Sequence, residues 1–391
     1  MKENMKRKTI SRTGNLATLL SCFLCSYFAS YADEVVEIDG IEYFYSKVYL
    51  SGGGVDSSKI ILGKDVPGQA VYVPDDRKML RIPQFINGKQ IKKIERRACS
   101  HLPAVEEIIL PNSITEIESE AFKQCWALKK INIPPSVQRI GAGAFEECEN
   151  LKSISLPANV AIDHSNLLVG CAALERFDFP KGIHFTRESH KYDSDSLEKF
   201  FIGCASLKEI SLPPCIMHIY GAFDGCSNLV RIDLPSNLKT IGYRMFRDCR
   251  SLESIAIPES VVRIGPEAFK GCNSLRTIEL PYGITKIEGG DWREGGTFGN
   301  CKSLKEVSIP ENVKEIGMFA FLNCTSLQKV SFSPDIQRIR IGDGAFKGCA
   351  NLKEIALSRS IADSVLDTKI DNKYDSKKIR ELPGLKIIYL D

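Results

Sequence analysis

Between residues 114 and 360 apolar and polar positions recur in a pattern with a period of about 23 residues. Residues 114–136 serve as one unit. In "LKKINIP" (Leu128–Pro134) inward Ile131 and Ile133 alternate with outward Lys130 and Asn132, the period of a half-buried strand. Pro134 ends it, because proline cannot donate to the next rung of a ladder. "ITEI" (Ile114–Ile117) carries two branched apolar residues three apart and predicts a second extended stretch. Ala121, Phe122 and Cys125 then fall at i, i+1 and i+4, on one side of a single helical turn. A glycine precedes that turn in several units (Gly141, Gly242, Gly265, Gly317), and glycine suits a backbone that changes direction with φ > 0.

The Phe-x-x-Cys-x-x-Leu core recurs, once with Leu for Phe. Its cysteines are Cys125, Cys148, Cys171, Cys204, Cys226, Cys249, Cys272, Cys301, Cys324 and Cys349, at intervals of 23, 23, 33, 22, 23, 23, 29, 23 and 25. One unit cannot bury its apolar side alone. Stacked in register, each covers the next, and the Leu, Ile, Phe and Cys positions become continuous columns. Eleven or twelve coils at ~4.8 Å give a length of roughly 55 Å.

Phe-x-x-Cys-x-x-Leu-x-x-Ile-x-Ile-Pro followed by Val-x-x-Ile-Gly resembles the BspA-type leucine-rich repeat of bacterial surface proteins, also found in some protists. The resemblance covers about residues 70–390. It implies an α/β repeat fold: a right-handed leucine-rich-repeat solenoid with a parallel concave sheet, and short strands and single helical turns on the other sides. It also implies surface or secreted placement, and binding rather than catalysis.

The expected organisation is a signal peptide at 1–32, an N-terminal cap at 33–87, repeats over 88–360 and a C-terminal cap at 361–391. In the cap, "EIDGIEYFY" and "VYLSGGG" read as strands around turns, and "AVYVP" as an incomplete first strand. Asn87-Gly88 signals a tight turn. Cys99 falls in the Phe column and Leu102 in the Cys column, so Cys99 is not part of the ladder. "LKIIYL" (Leu385–Leu390) supplies a last strand. Two insertions separate the proline from the Phe column, one within 184–198 and one around Glu288–Gly296. Asp163 stands where an inward Ile is expected, so the register is expected to slip there.

Net charge sharpens the picture. The formal charge is +3, and the first 32 residues hold five Lys/Arg against one Glu, leaving 3 − 4 = −1 for the rest. No concentrated basic footprint for nucleic acid is expected from that balance. The basic start, the apolar run Leu16–Ala29 and the small residues Ser30 and Ala32 read as a secretory signal cleaved after Ala32. An uncleaved anchor, or lipidation at Cys22 in "LLSC", are the competing readings. The run is marginal against the ~20 residues a span needs, and no transmembrane domain is expected in the mature chain.

Ten equivalent cysteines invite disulfides. In a stack, however, the Cα–Cβ bonds run parallel and the sulfur-bearing carbons stay a coil apart, whereas a disulfide wants them ~3.8 Å apart. The ladder is therefore read as free, buried thiols filling a tight turn with a weak S–H donor. Cys215 lies outside it.

Candidate binding positions fall in two groups. Outward residues of the concave sheet include Lys130, Arg176, Asp178, Arg231, Asp233, Glu279, Glu306 and Lys329. A plain solvated sheet face accounts for them; so does a docking surface. Trp292 and Arg293, in the second insertion, have the composition of a binding hot spot; a Trp folded back over the stack is the competing reading. His184, His190, Asp193 and Asp195 in the first insertion have no standard metal spacing. No G-x-S-x-G, P-loop, H-E-x-x-H or G-x-G-x-x-G motif occurs, and the histidines are scattered. The reading is an exported repeat protein without cofactor that binds an extracellular or cell-envelope protein, adhesion to host or neighbouring cells being what the resemblance implies. A structural envelope spacer and an enzyme hidden around Asp163–Asp195 are the alternatives.

Overall fold

A computed structural model of the chain describes residues 34–49, 55–62, 71–163, 166–186, 196–293, 295–369 and 378–390. The expected signal segment with Cys22, and His190, Asp193 and Asp195 of the first insertion, lie outside the described residues. The chain divides into two compact units, Met1–Glu188 and Ser189–Asp391, with the division inside that insertion.

The first unit begins as an antiparallel hairpin, Glu34–Ile38 with Ile41–Tyr49, closed by Asp39 and Gly40 at φ 52° and 76°. Val55–Leu62 pairs antiparallel with this hairpin and parallel with Lys89–Ile94, which converts hairpin pairing into stacking. Asn87 and Gly88, at φ 48° and 75°, form the turn expected of them and fold Phe85–Ile86 onto Lys89–Ile94. Val71–Tyr72 behaves differently from the sequence reading. It joins the hairpin through Tyr43 and Glu42, and the first strand of the parallel stack is Met79–Arg81.

From there two ladders of short parallel strands run side by side. The first holds Met79–Arg81, Glu107–Ile109 and Lys130–Asn132; the second holds Lys89–Ile94, Glu116–Ile117, Arg139–Ile140, Ala161–Asp163 and His184–Thr186. The second unit repeats the scheme. Its first ladder pairs Glu209–Ser211 with Arg231–Asp233, and Glu306–Ile309 with Lys329–Phe332, Glu354–Leu357 and the final Lys386–Tyr389. Its second ladder runs Ser196–Glu198, His218–Tyr220, Thr240–Ile241, Arg263–Ile264, and then Lys286–Ile287, Glu315–Ile316, Arg340–Ile341. The architecture is a parallel-strand β-solenoid of about 11 turns. A helix, Ala362–Leu366, packs on the last strand of that second ladder.

The core is made of the predicted columns. Phe122, Cys125, Leu128 and Ile140 are fully buried in the first unit, as are Phe246, Cys249, Leu252 and Ile241 in the second. Phenylalanine rings stack face to face, Phe122 on Phe145 at 5.6 Å, and in the second unit Phe201, Phe223, Phe246, Phe269, Phe298, Phe321 and Phe346 at 5.2–6.0 Å. Each such ring contributes about 1.5–3 kcal/mol through burial alone, and offset stacking adds to that.

The segment between Phe and Leu is a single-turn piece, but its backbone is not regular helix. The residue two before Phe and the residue before Cys both take positive φ, as in Glu120 (59°) and Gln124 (61°), or Arg244 (56°) and Asp248 (56°). Tight turns such as Lys123 N to Glu120 O at 3.1 Å close locally, while alternate amides reach the next coil, as Phe122 N does to Ala144 O at 2.9 Å. Packing between coils overrides the helical spacing read from the sequence.

The glycines expected to supply positive φ do something else. Gly141, Gly242, Gly265 and Gly317 are absent from the left-handed region. A Cβ on Gly141 would run into the Ser119 amide, and one on Gly265 would lie 2.8 Å from the Gly242 carbonyl carbon. These positions need hydrogen because two backbones approach closely. The left-handed glycines are instead those beside the cysteines, such as Gly170, Gly225 and Gly271. Asp163 is likewise corrected: Arg139 and Ile140 pair with Ala161 and Ile162 as they do with Glu116 and Ile117. Ile162 fills the inward column, and Asp163 falls one place later, buried, without a slip.

Gly141→Ala is expected to destabilise the protein by about 1–3 kcal/mol, the usual cost of forcing atoms into a packed site. Urea denaturation checks this, and a midpoint equal to the unsubstituted protein's would contradict the close-approach account.

Candidate protein-binding surface

The outward positions of the first ladder are strong charges, and most are answered by their neighbours. Lys130 lies 2.8 Å from Glu107 one coil back. Arg176 holds Asp178 on its own strand at 3.0 Å, and Arg231 holds Asp233 at 3.2 Å. The Ser211 hydroxyl, 2.7 Å from Asp233, joins Arg231 in holding that carboxyl below its usual range. Lys329 bonds Glu354 at 2.8 Å, which raises its pKa, and stands opposite Glu306 in register. Glu279 is exposed and has no ion pair among the described residues. Exposed pairs of this kind contribute little stability, typically ~0.2–1 kcal/mol. They also leave the face close to neutral and without an aromatic anchor.

The second insertion is built differently. It leaves the strand Lys286–Ile287 and closes through an antiparallel bridge between Asp291 and Gly295. The Asp291 carboxylate accepts the Arg293 amide at 2.8 Å, which fixes the turn. Thr297, fully buried, donates to the carbonyl oxygens of Gly265 (3.2 Å) or Glu288 (3.1 Å) at the base of the loop. Trp292 is 59% exposed, so it projects rather than folding back. The Arg293 guanidinium lies 4.7 Å from the centroid of its ring, a cation–π geometry that holds both side chains in place.

The ladder cysteines are all buried and free, as is Cys99; Cys215 is free and exposed. Cys125 donates to the Cys99 carbonyl, which confirms that Cys99 occupies the Phe column. The same bond recurs in Cys148, Cys171, Cys226, Cys249, Cys272, Cys301, Cys324 and Cys349, each to the Phe-column carbonyl one coil back, at 3.1–3.3 Å. Burial pushes Cys171 up to about 12 and raises Cys249 and Cys272 well above the ordinary thiol range. Such thiols are poor nucleophiles and poor metal ligands. No group of three or more metal-ligating side chains converges among the described residues.

Sequence reasoning overlooked the outward face of the second ladder. There Lys93 lies between Glu95 (3.3 Å), Glu116 (3.4 Å) and Glu118 (2.7 Å) in the first unit. Burial works against its charge, but the Glu118 bond and the neighbouring carboxylates hold its pKa up to about 12. In the second unit the same face carries Lys239, Arg263, Lys314, Arg338 and Arg340. The signal was present in the residues just before the inward Ile, as in "LKTIG" and "VVRIG".

Two ladders of short parallel strands, joined by turns that stack Phe and Cys, define a leucine-rich-repeat solenoid. Residues 80–198, 196–291 and 294–371 match the model of the BspA type leucine rich repeat region, and the chain belongs to that family. A search of curated proteins found no match. Among solved structures, a leucine-rich repeat protein from Bacteroides ovatus superposes with a TM-score of 0.51 at 24% identity, covering 92% of this chain and 100% of that one. A leucine rich cell surface protein from Faecalibacterium prausnitzii gives 0.45 at 21% identity, with 88% and 100% covered. No helix among the described residues is long and apolar enough to cross a membrane.

In the native protein one thiol, Cys215, is expected to react rapidly with a disulfide reagent at neutral pH. The denatured, unreduced chain lacking residues 1–32 should show all twelve of its cysteines. Fewer than ten on denaturation would mean that ladder cysteines are cross-linked.

Proposed function

We propose that this is an exported BspA-type repeat protein that docks on other proteins, with the Trp292–Arg293 hairpin as its principal anchor. The observation that carries this reading is the hairpin itself: an exposed tryptophan, clamped by its own arginine, on a turn pinned at both ends. Hot spots favour Trp and Arg, and a group already held in place loses little conformational entropy on binding. Export rests on the signal-like composition of residues 1–32. The ion-paired positions Lys130, Arg176, Asp178, Arg231, Asp233 and Lys329, with Glu279 and Glu306, form a flanking surface that sets orientation more than affinity. Adhesion to host or neighbouring-cell proteins is the biological role that fits such a surface.

The test is a pull-down of matrix and envelope proteins with the full chain, compared with Trp292→Ala. Loss of a partner by tenfold or more is expected, from the ~2 kcal/mol or greater cost of truncating a hot spot. A partner retained equally by both proteins would remove the hairpin from the interface, and no partner at all would favour a spacer role.

A further inference from the structure

The second ladder of the Ser189–Asp391 unit carries a cationic stripe that its own carboxylates do not neutralise. Lys239, Arg263, Lys314, Arg338 and Arg340 are exposed, and none has an ion pair among the described residues. They sit on neighbouring coils. Lys239 receives the Val262 amide at 3.0 Å, Arg263 pairs in register with Thr240, and the Arg340 amide bonds the Lys314 carbonyl at 2.9 Å. Lys286, in register with Glu315 and next to it Arg340, completes the row.

The cause lies in one column of the repeat. The residue after the inward Ile is Glu95 or Glu118 in the first unit, where it neutralises Lys93 and Arg139. In the second unit the same place is held by Gly242, Gly265, Gly317 and Gly342, which the close approach of backbones demands. The exception proves the relation: Glu288 stands in that column, and it is bonded to Lys286 at 2.9 Å. Six cations therefore face two carboxylates, Glu288 and Glu315, a surplus of 6 − 2 = 4. At the end of the row, Lys314, Arg338, Arg340 and the exposed Ser364 surround a hollow of 540 Å³ beside the helix Ala362–Leu366.

We propose that this stripe binds a linear anionic polysaccharide laid across the coils. Charges repeat along it at the coil spacing of ~4.8 Å, comparable with the repeat of a chain that bears an anionic group on each sugar ring. The hollow would seat one such group between two guanidiniums and a hydroxyl. The outward residues between the cations are Val262, Thr285 and Thr240, with no ring on which a nucleic-acid base could stack. The strands under Lys239 to Lys314 are already hydrogen-bonded on both sides, which leaves no edge there for an acidic peptide to add as a strand. This site is separate from the Trp292 hairpin reading and is tested by different residues.

The experiment uses the full chain and immobilised heparin, a sulfated polysaccharide, at an ionic strength where the Debye length is about 8 Å. Retention that falls steeply with added salt is expected. Arg263→Glu/Arg338→Glu/Arg340→Glu should weaken binding by at least tenfold, and the milder Arg340→Gln by severalfold. Lys302→Glu/Lys305→Glu/Lys353→Glu changes net charge equally on exposed lysines outside the stripe and should stay within twofold of the unsubstituted protein. Unchanged thermal midpoints keep the comparison one of binding. Equal loss in the control variant, no retention at all, or tighter binding of single-stranded DNA or polyglutamate would overturn the proposal.

Discussion

Each ladder thiol donates its proton to the carbonyl of the Phe-column residue one coil back, and most of the architecture follows from that contact. The carbonyl sits in a turn whose neighbouring residues are left-handed, so no helical amide is available to satisfy it. A buried backbone acceptor without a partner is costly. Serine would fulfil the same role with a stronger donor, but its hydroxyl would itself need solvation or a second partner. Cysteine is apolar enough for the core and polar enough for one weak bond. The phenylalanine stacks and the two strand ladders set the distance at which the bond forms.

That economy explains which parts of the fold are legible in the chain. Periodic positions such as Phe122, Cys125, Leu128 and Ile131 announce their burial because each contributes the same apolar group to the same column in every coil. The turn resisted the same logic. Ala121, Phe122 and Cys125 have helical spacing, yet Gln124 and Glu120 take positive φ because their amides and carbonyls are shared with adjacent coils. A local pattern cannot report a bond made 22 residues away. Gly141 and Gly265 misled for a related reason: a missing side chain signals either backbone freedom or close approach, and only the neighbouring coil decides which. Asp163 looked like a break in register because the shift of one residue before Leu168 is invisible until the strand pairs with Arg139–Ile140.

The candidate site was legible in part. Trp292 and Arg293 stand out by composition and by their place in an insertion, and the structure shows them projecting together. The charged residues of the first ladder read from the sequence as a row of separate opportunities. In three dimensions Arg176 with Asp178, and Lys329 with Glu354, are occupied by one another. Conversely, Arg263 and Arg340 drew no notice, since whether a cation is answered depends on what stands two residues on in its own and the preceding coil. Pairing, rather than charge count, separates the two faces.

Because every ladder sulfur is sealed by the coil before it, each marks the integrity of a single interface within the stack. A fray at one end exposes Cys349 while leaving Cys249 covered, and a rupture in the middle does the reverse. The rate at which individual sulfurs become alkylated, read residue by residue, is then a map of local opening free energies along the chain. The chain carries its own row of gauges, one per turn, placed there by the need to satisfy a carbonyl.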